Sequence, residues 1–346
     1  MLTVSVPGKL YLIGEYNVLN DGKSAILFTI DKYVKAMIEP SEHFVLVNEK
    51  QVYPLIIDNG HVLVEDDSLK ISEGALQIAL NYLTFLGIKP KPFRLTLVNE
   101  LVSKEGIKYG FGSSAAILIA ILKSILLYHE VKFNHLSLFK IAVLGQYLIG
   151  KKSSGGDLAS VIYGGVIFYT RYAYDWVKSN IHRNFKLIEE DWPLLEIEPL
   201  PFDHLSIQVG WTGSAYSTDA NLAKLLHKED IYFAFTDKAN AIVLKAKQAI
   251  LDRNNDELGA MISRYQALLY KLDFDLELGF NTDILNTLIK IGDSCRGFSK
   301  ISGAGYGDCG LSLSPHPQKL HKAWKQGGII PIKFKIASPL KENIDV

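Results

Sequence analysis

Three glycine-rich segments carry the residues that could bind and transform a small ligand. They are Pro7–Tyr16, Lys108–Ala116 and Lys300–Gly310. In the second segment, Gly110 and Gly112 let the backbone approach a ligand closely, and an apolar stretch of helical length follows. The N-terminus of a helix presents N–H groups and a positive dipole end to such a loop. The pattern predicts an anion site suited to phosphate, and Lys108 adds a full positive charge.

Other interpretations of these glycines remain open. The second segment could be a tight strand-to-helix turn whose helix is capped by the hydroxyl of Ser113 or Ser114. Gly110–Ala115 also fits a dinucleotide-binding fingerprint, but the acidic residue expected at the end of the next strand is missing. Gly145–Lys151 resembles a nucleotide-binding loop, but Lys152 replaces the hydroxyl residue and a helix precedes it. The sequence therefore disfavours a dinucleotide-dependent oxidoreductase.

A fourth segment of small residues, Ser153–Ser160, surrounds a single carboxylate. Asp157 stands where a short apolar helix begins, so it is either an N-cap or a carboxylate placed in a phosphate site. The two interpretations are equally supported by the sequence. In the third glycine-rich segment, Cys309 is better explained as a small buried residue at the start of a strand than as a reactive thiol.

The hydrophobic pattern predicts the elements that must position these segments. It predicts strands near residues 4–6, 34–38, 45–47, 93–98, 165–169, 205–211, 299–302, 309–313 and 329–336. It predicts helices over residues 69–86, 113–127, 136–148, 157–163, 217–227, 230–252, 256–272, 282–296 and 317–326. Because helices and strands do not alternate strictly, the chain is assigned to the α+β class.

Length and composition limit the classes of protein that the chain could be. The 346 residues suffice for roughly two domains, and an irregular segment rich in Trp and Pro, 172–201, predicts domains of 1–195 and 196–346. The 37 Lys and Arg balance 37 Asp and Glu, which argues against a nucleic-acid partner. Two Cys favour a reducing compartment, and the longest apolar stretch is too short to span a bilayer. We expect a cytoplasmic protein without a membrane partner.

Taken together, Pro7–Tyr16, Gly110–Ala116 and Ser302–Gly310 resemble the three motifs of the GHMP small-molecule kinases, in the same order. The resemblance covers nearly the whole chain. It implies an α+β fold with an N-terminal domain like domain 2 of ribosomal protein S5 and a ferredoxin-like C-terminal domain. Within the superfamily the chain is similar to the phosphomevalonate kinases, and the segments Gly210–Thr212 and Asp308–Gly310 are the most specific to them.

The resemblance implies roles for individual residues of one site. Lys9 matches the lysine near the transferred phosphoryl group, and Asp157 matches the acceptor-side aspartate, so these two are the candidate catalytic residues. The candidates for binding the ATP phosphates are Lys108, Gly110, Gly112, Ser113, Ser114 and Ala115. The candidates for binding the acceptor substrate are Lys9, Ser154, Gly155, Asp157, Ser217, Thr218, Gly303, Ala304 and Gly305. The hydroxyls of Ser113 and Ser114 are also the candidate ligands of Mg²⁺.

Three residues depart from the pattern of the superfamily. Phe111 replaces a usual Leu, which is a tolerable exchange of apolar residues. Tyr306 replaces a Gly in the third loop, so its side chain must point away from the ligand or the loop must differ. Gln146 lies at the offset where mevalonate kinases carry a magnesium-binding Glu, which weakens the assignment to that family.

The resemblance implies one reaction. ATP and 5-phosphomevalonate would give ADP and 5-diphosphomevalonate, with Mg²⁺ as cofactor, in the mevalonate pathway of isoprenoid biosynthesis. The partners would then be the small molecules ATP and phosphomevalonate. The alternatives are a mevalonate kinase or another GHMP kinase, and a non-catalytic ligand sensor on the same fold.

Overall fold

The computed structural model describes residues 1–338 except 59, 104–105, 152 and 214–227. The predicted helix 217–227 and the candidate residues Ser217 and Thr218 lie outside the described residues. Elsewhere the chain forms two sheets, each packed against helices, which confirms the α+β class.

Strands from the first 200 residues build a seven-stranded sheet and a small hairpin. They are β1 (Leu2–Ile13), β2 (Ser24–Pro40), β3 (Val45–Asn48), β4 (Gln51–Pro54), β5 (Ile56–Asp58), β6 (His61–Leu63), β7 (Phe93–Asn99), β8 (Val166–Thr170) and β9 (Glu196–Leu200). The sheet order is β4-β3-β7-β2-β8-β9, while β5 and β6 form the hairpin. The long β2 pairs with β1 along one edge and with β7 and β8 along the other. It is therefore the central strand of the sheet.

Four helices pack together and against this sheet. They are α1 (Lys70–Phe85), α2 (Ser113–Tyr128), α3 (His135–Leu148) and α4 (Gly156–Tyr163). Their bounds agree with the predicted helices to within one residue. Of the 16 residues of α2, 11 are buried, because α2 lies between α1 and the strands β1 and β2. This placement explains why its sequence is apolar around the whole helix.

The irregular segment that the sequence analysis placed between two domains is largely structured. It contains α5 (Tyr174–Asn180), a 3₁₀ segment over Ile181–Glu189 and the strand β9. Trp192 is buried against Phe139 and Tyr172 rather than exposed in a linker. Since β9 pairs with β8, the first residues after the expected boundary at 195 still belong to the first sheet.

The rest of the chain forms a four-stranded antiparallel sheet with helices packed against it. Its elements are β10 (Ile207–Trp211), α6 (Glu229–Leu251), α7 (Asn255–Leu276), α8 (Asp283–Ser294), β11 (Phe298–Ser302), β12 (Cys309–Leu313), α9 (Pro317–Gln326) and β13 (Ile330–Ile332). The strand order β11-β12-β10-β13 is that of a ferredoxin-like sheet. The last strand is shorter than the predicted 329–336. It contains Pro331, which lacks an N–H and is tolerated because β13 is an edge strand.

The turn that follows β1 is held by the C-terminal half of the chain. The Tyr265 hydroxyl donates to the Glu15 carbonyl at 2.6 Å, and the Tyr232 hydroxyl donates to the Tyr16 carbonyl at 2.7 Å. Both tyrosines come from the long helices α6 and α7, and both are buried. Both carbonyls also accept a backbone N–H within the turn, from Asn17 and Leu19, so the tyrosines add a second partner and tie the turn to the C-terminal half.

A buried ion pair fixes the same turn to β11. Glu15 is 3% exposed and Lys300 is fully buried, and the Lys300 ammonium bonds to the Glu15 carboxylate and to the Ile301 carbonyl. Burial raises the pKa of Glu15 and lowers the pKa of Lys300, while the charge of each partner opposes that effect on the other. Breaking such a pair from one side leaves an uncompensated charge in the core.

Replacing Lys300 should therefore destabilise the protein strongly. We expect Lys300→Met to lower the free energy of unfolding by about 3–5 kcal/mol, because the Glu15 carboxylate stays buried without its cation. The double variant Glu15→Gln/Lys300→Met should recover much of this loss. Urea denaturation followed by tryptophan fluorescence measures both effects.

An exposed pair provides the control for this experiment. Lys70 lies 3.0 Å from Asp67 with both side chains largely exposed, so Lys70→Met should cost about 0–1 kcal/mol. Equal losses for Lys70→Met and Lys300→Met would contradict the structural importance of the buried pair.

Candidate active site

The three glycine-rich segments meet along one edge of β1. The opposite edge of β1 pairs with β2, and a register shift between Pro7 and Gly8 interrupts that pairing. On the free edge, the Lys9 N–H donates to the Phe111 carbonyl at 2.9 Å. Two residues later, the Tyr11 N–H donates to Ser302 Oγ at 3.1 Å, and that hydroxyl donates back to the Tyr11 carbonyl at 2.8 Å. The free edge of β1 thus joins the second segment to the third.

Lys9 lies between the second glycine-rich loop and the start of α4. Its side chain is nearly buried, and its Nζ is 3.0 Å from Asp157 Oδ2. The stem of Lys9 passes over Gly112, where a Cβ atom would lie only 2.5 Å from Lys9 Cε. Gly112 also has a φ of 70°, which favours glycine. The close packing of Lys9 therefore requires glycine at this position.

The N-terminus of α2 has no side-chain cap among the described residues. Gly112 is the N-cap, and Ser113 and Ser114 are the first two residues of the helix. The alternative that one of these serines caps the helix is therefore wrong. The side chain of Ser113 is buried and Ser114 is exposed. The N–H groups of the first turn remain available to an anion.

The helix α4 begins in the same manner. Gly155 is its N-cap with a φ of 84°, and Asp157 is the second residue of the helix rather than its cap. The N-cap interpretation of Asp157 is therefore wrong. The Asp157 side chain is 38% exposed, so it faces solvent on one side and Lys9 on the other. It is placed where a ligand between α2 and α4 would meet it.

Tyr11 is a site residue that the sequence analysis missed. A Cβ atom on Gly156 would lie 3.2 Å from the Tyr11 hydroxyl oxygen, so this hydroxyl reaches the start of α4, and Lys9 Nζ lies 4.7 Å from the ring centroid of Tyr11. Burial, together with the charge of Asp157, raises the pKa of Tyr11 well above its ordinary value. Tyr11 therefore stays protonated and keeps a hydroxyl that can donate to the carboxylate. Tyr11 lies two residues after Lys9 on the same strand, and residues with this spacing share a face. This spacing could have identified Tyr11 as a site residue from the sequence.

The loop before α4 rests on two further tyrosines that the sequence analysis also missed. The Tyr169 hydroxyl donates to the Ser154 carbonyl at 2.6 Å, and the Tyr172 hydroxyl donates to the Ser153 carbonyl at 3.3 Å. Both rings are fully buried. These bonds fix the backbone of the loop that carries Ser154 and leads to Asp157.

The third loop is anchored through aromatic side chains. Tyr306 adopts a φ of 63°, and its ring packs on Phe280 in a T-shaped arrangement with 6.2 Å between the ring centroids. Tyr16 stacks on the same Phe280 at 4.8 Å and donates its hydroxyl to the Ala304 carbonyl at 2.6 Å. The loop therefore keeps a conformation that usually needs glycine at position 306.

The structure brings most of the predicted residues to one place. Lys9 contacts Gly112 and Asp157 directly, and Ser154 lies in the loop that leads to Asp157. The third loop, with Gly303, Ala304 and Gly305, reaches this group through Ser302 and Tyr16. Lys108 is exposed at the entry to the second loop, and Ala115 is buried in α2. Their contact with a ligand remains a prediction.

Comparison with known proteins identifies the family. Residues 73–165 match the GHMP kinases N terminal domain family. A phosphomevalonate kinase of Streptomyces sp. is 27% identical over 98% of this chain and 97% of its own length. Mevalonate kinases are also relatives, for example that of Pyrococcus horikoshii at 25% identity over 96% of this chain and 95% of its own. The chain belongs to the GHMP kinase superfamily.

Solved structures share the whole fold of this GHMP kinase. The Lin0012 protein from Listeria innocua superposes with a TM-score of 0.88 at 30% identity, covering 96% of this chain and 97% of that one. Streptococcus pneumoniae phosphomevalonate kinase in complex with phosphomevalonate and AMPPNP superposes with a TM-score of 0.84 at 21% identity, covering 98% and 100%. The two-domain α+β fold implied by the resemblance is confirmed. None of the helices in the described part of the chain has the length and hydropathy needed to cross a membrane.

The contact between Tyr11 and Asp157 leads to a prediction about turnover. A hydrogen bond to a charged group contributes about 1.5–3 kcal/mol, so Tyr11→Phe should lower kcat roughly ten- to hundredfold. Tyr172→Phe is the matched control, because it removes a hydroxyl that binds the same loop without touching Asp157. Steady-state measurement of ADP release compares the two variants. Unchanged turnover in Tyr11→Phe would show that its hydroxyl does not position Asp157.

Proposed function

We propose that this GHMP kinase is a phosphomevalonate kinase, which transfers the γ-phosphoryl group of ATP to the phosphate of 5-phosphomevalonate. The N-terminal domain, expected over residues 1–195 and extended by β9 to residue 200, would bind ATP, and the acceptor would lie between it and the C-terminal domain, expected over residues 196–346. The name of the Streptomyces relative and the ligands of the Streptococcus structure support this assignment. So do the segments Gly210–Thr212 and Asp308–Gly310, which resemble that family.

One observation carries the proposal. Lys9 stands between Asp157 and the N-terminus of α2, whose N-cap Gly112 has no side chain to cap the helix, so an ammonium and the backbone N–H groups of the first turn converge at one point. Phosphoryl transfer between two polyanions depends mainly on positioning and on neutralising charge. The arrangement supplies positioning and positive charge. Gly112 leaves room for the Lys9 side chain, and Asp157 orients its ammonium.

The acceptor itself lessens the need for a general base. The second pKa of a phosphate monoester is about 6, so phosphomevalonate is mostly a dianion at pH 7 and already nucleophilic. Asp157 then has no proton to remove, and its contact with Lys9 serves to hold the ammonium in place. Lys108 and the N-terminus of α2 would add attraction for the phosphates of ATP.

The donor set of the site fits Mg²⁺ that arrives with ATP. The described residues hold no cluster of three His, Cys, Asp or Glu that could bind a metal ion. Mg²⁺ commonly keeps several waters and binds substrate phosphates with few protein ligands. The hydroxyls of Ser113 and Ser114, at the start of α2, would complete its coordination. When bound, the ion neutralises charge that develops on the transferred phosphoryl group.

A mevalonate kinase is the second candidate function. Its support is the similarity to the archaeal mevalonate kinases and the half-exposed carboxylate of Asp157, which a neutral hydroxyl acceptor could use as a base. The two candidates therefore differ in what they require of Asp157.

The identity of the acceptor substrate can be tested directly. We expect ADP release from MgATP with 5-phosphomevalonate and at least a hundredfold lower kcat/KM with mevalonate, because the site is built to neutralise a second polyanion. A coupled spectrophotometric assay measures both. Turnover on mevalonate alone would replace the proposal by the second candidate. ATP binding without turnover on either acceptor would favour a ligand sensor.

Substitution of the two charged residues separates the proposed mechanisms. Losing one electrostatic stabiliser in such a site costs about 3 kcal/mol, so Lys9→Ala should lower kcat by roughly two orders of magnitude. We expect Asp157→Asn to cost less, because it keeps the shape of the side chain and removes no needed base. Lys35→Ala, which disrupts a half-exposed ion pair with Glu100, is the control and should leave kcat unchanged. A larger loss for Asp157→Asn than for Lys9→Ala would overturn this ranking.

A further inference from the structure

Two sequence segments that suggested the family have no role in the site as described so far. They are Gly210–Thr212 and Asp308–Gly310. In the fold they are direct neighbours, because Trp211 pairs with Cys309 at the ends of β10 and β12. The Thr212 N–H donates to the Asp308 carbonyl at 3.0 Å and closes the end of this ladder. The two segments therefore act as one structural unit.

This unit touches the residue that leads into the second glycine-rich loop. Cys309 Sγ lies 3.1 Å from the Tyr109 carbonyl oxygen, at hydrogen-bond distance for a thiol donor. The ring of Trp211 meets the ring of Tyr109 edge to face, with 4.9 Å between centroids. Tyr109 in turn stacks on Phe111, two residues further along the loop, at 5.2 Å. A chain of contacts thus runs from the C-terminal sheet into the loop.

Asp308 makes a separate contact with the same loop. A Cβ atom on Gly110 would lie 2.8 Å from Asp308 Cβ and from its carboxyl carbon, so the aspartate side chain packs directly on the glycine backbone. Gly110 and Gly112 have φ values of 81° and 70°, and both are approached closely by a side chain from outside the loop. Lys9 packs on Gly112 and Asp308 packs on Gly110, so each of the two glycines is in contact with a charged side chain.

The chemistry of Cys309 suits a hydrogen-bond donor. Its side chain is fully buried, and burial together with the charge of Asp308 raises the pKa of the thiol well above its ordinary value. A thiol that keeps its proton donates weakly to a carbonyl and does not act as a nucleophile. Trp211 is only 6% exposed, so its contact with Tyr109 is shielded from water.

We propose that Cys309 and Trp211 are positioning residues for the nucleotide, which hold Tyr109 and thereby place the loop Gly110–Gly112 against the phosphates of ATP. This inference rests on the proposed role of that loop in binding ATP. Displacement of a phosphate-binding backbone by about 1 Å costs a large part of the rate in a reaction that depends on alignment. The C-terminal sheet would then act on the nucleotide through Tyr109, although it contributes no residue to the loop.

The second cysteine of the chain makes the test specific. Cys309→Ala removes the thiol donor, whereas Cys309→Ser keeps a donor of nearly the same size. Cys295→Ala is the matched control, since Cys295 is also a buried free thiol but lies at the end of α8. We expect Cys309→Ala to raise the Kd of a non-hydrolysable ATP analogue and the KM for ATP roughly two- to tenfold. The KM for the acceptor should stay unchanged, and Cys309→Ser should restore most of the affinity.

The outcomes separate this inference from the proposed function. If the wild-type protein does not bind the ATP analogue, the proposed function fails. If it binds the analogue, and Cys309→Ala binds it as tightly as Cys295→Ala does, the positioning role is wrong. A rise in the KM for ATP and for the acceptor alike would indicate a general structural defect and also contradict the inference.

A second variant tests the same proposal if Cys309→Ala does not fold. Trp211→Phe removes the indole that contacts Tyr109 while keeping an aromatic ring on β10. We expect the emission of the wild-type protein to change when the analogue binds, and this change to be lost in Trp211→Phe, which keeps the other three tryptophans. The same emission change in both proteins would overturn the coupling between Trp211 and the loop.

Discussion

The backbone of β1 has two edges, and only one of them is satisfied by its own sheet. On the other edge, the buried N–H groups of Lys9 and Tyr11 need acceptors, and they take the Phe111 carbonyl and the Ser302 hydroxyl. This requirement brings the second and third glycine-rich segments against the first. The position of Lys9 beside Gly112 and Asp157 follows from it, because Lys9 projects from the strand whose edge the loops complete.

The two halves of the molecule are joined at the same point. Glu15 and Lys300 form a buried ion pair just past β1, and tyrosines of α6 and α7 hold the adjoining carbonyls. Buried charges are costly unless paired, so the pair ties the turn after β1 to β11. The third loop follows directly after β11. The relative placement of Lys9 and the third loop is therefore fixed by buried contacts next to the site.

The sequence predicted most of the secondary structure because its apolar residues follow a clear period. The helices α1 to α4 begin and end within one residue of the prediction, and the α+β class is confirmed. It failed in 172–201, where α5 and a 3₁₀ segment pack large aromatic residues that mask any period. The predicted N-caps of α2 and α4 were also wrong. Ser and Asp are common at N-caps, so the sequence suggested Ser113, Ser114 and Asp157 for that position. The N-caps in the structure are Gly112 and Gly155, both in a left-handed conformation.

The sequence alone determined the family, the class of fold and the loops that could hold phosphate, because glycine spacing and hydrophobic period are local properties. The tertiary structure decided which side chains meet. Lys9 joins Asp157, Lys300 joins Glu15 and Cys309 reaches Tyr109, over separations of up to 285 residues. No local pattern encodes such contacts, since they arise when unpaired backbone groups and buried charges find partners on other elements. The residue types that give the site its chemistry can thus be identified from the sequence. The distances between their side chains depend on how the two sheets pack.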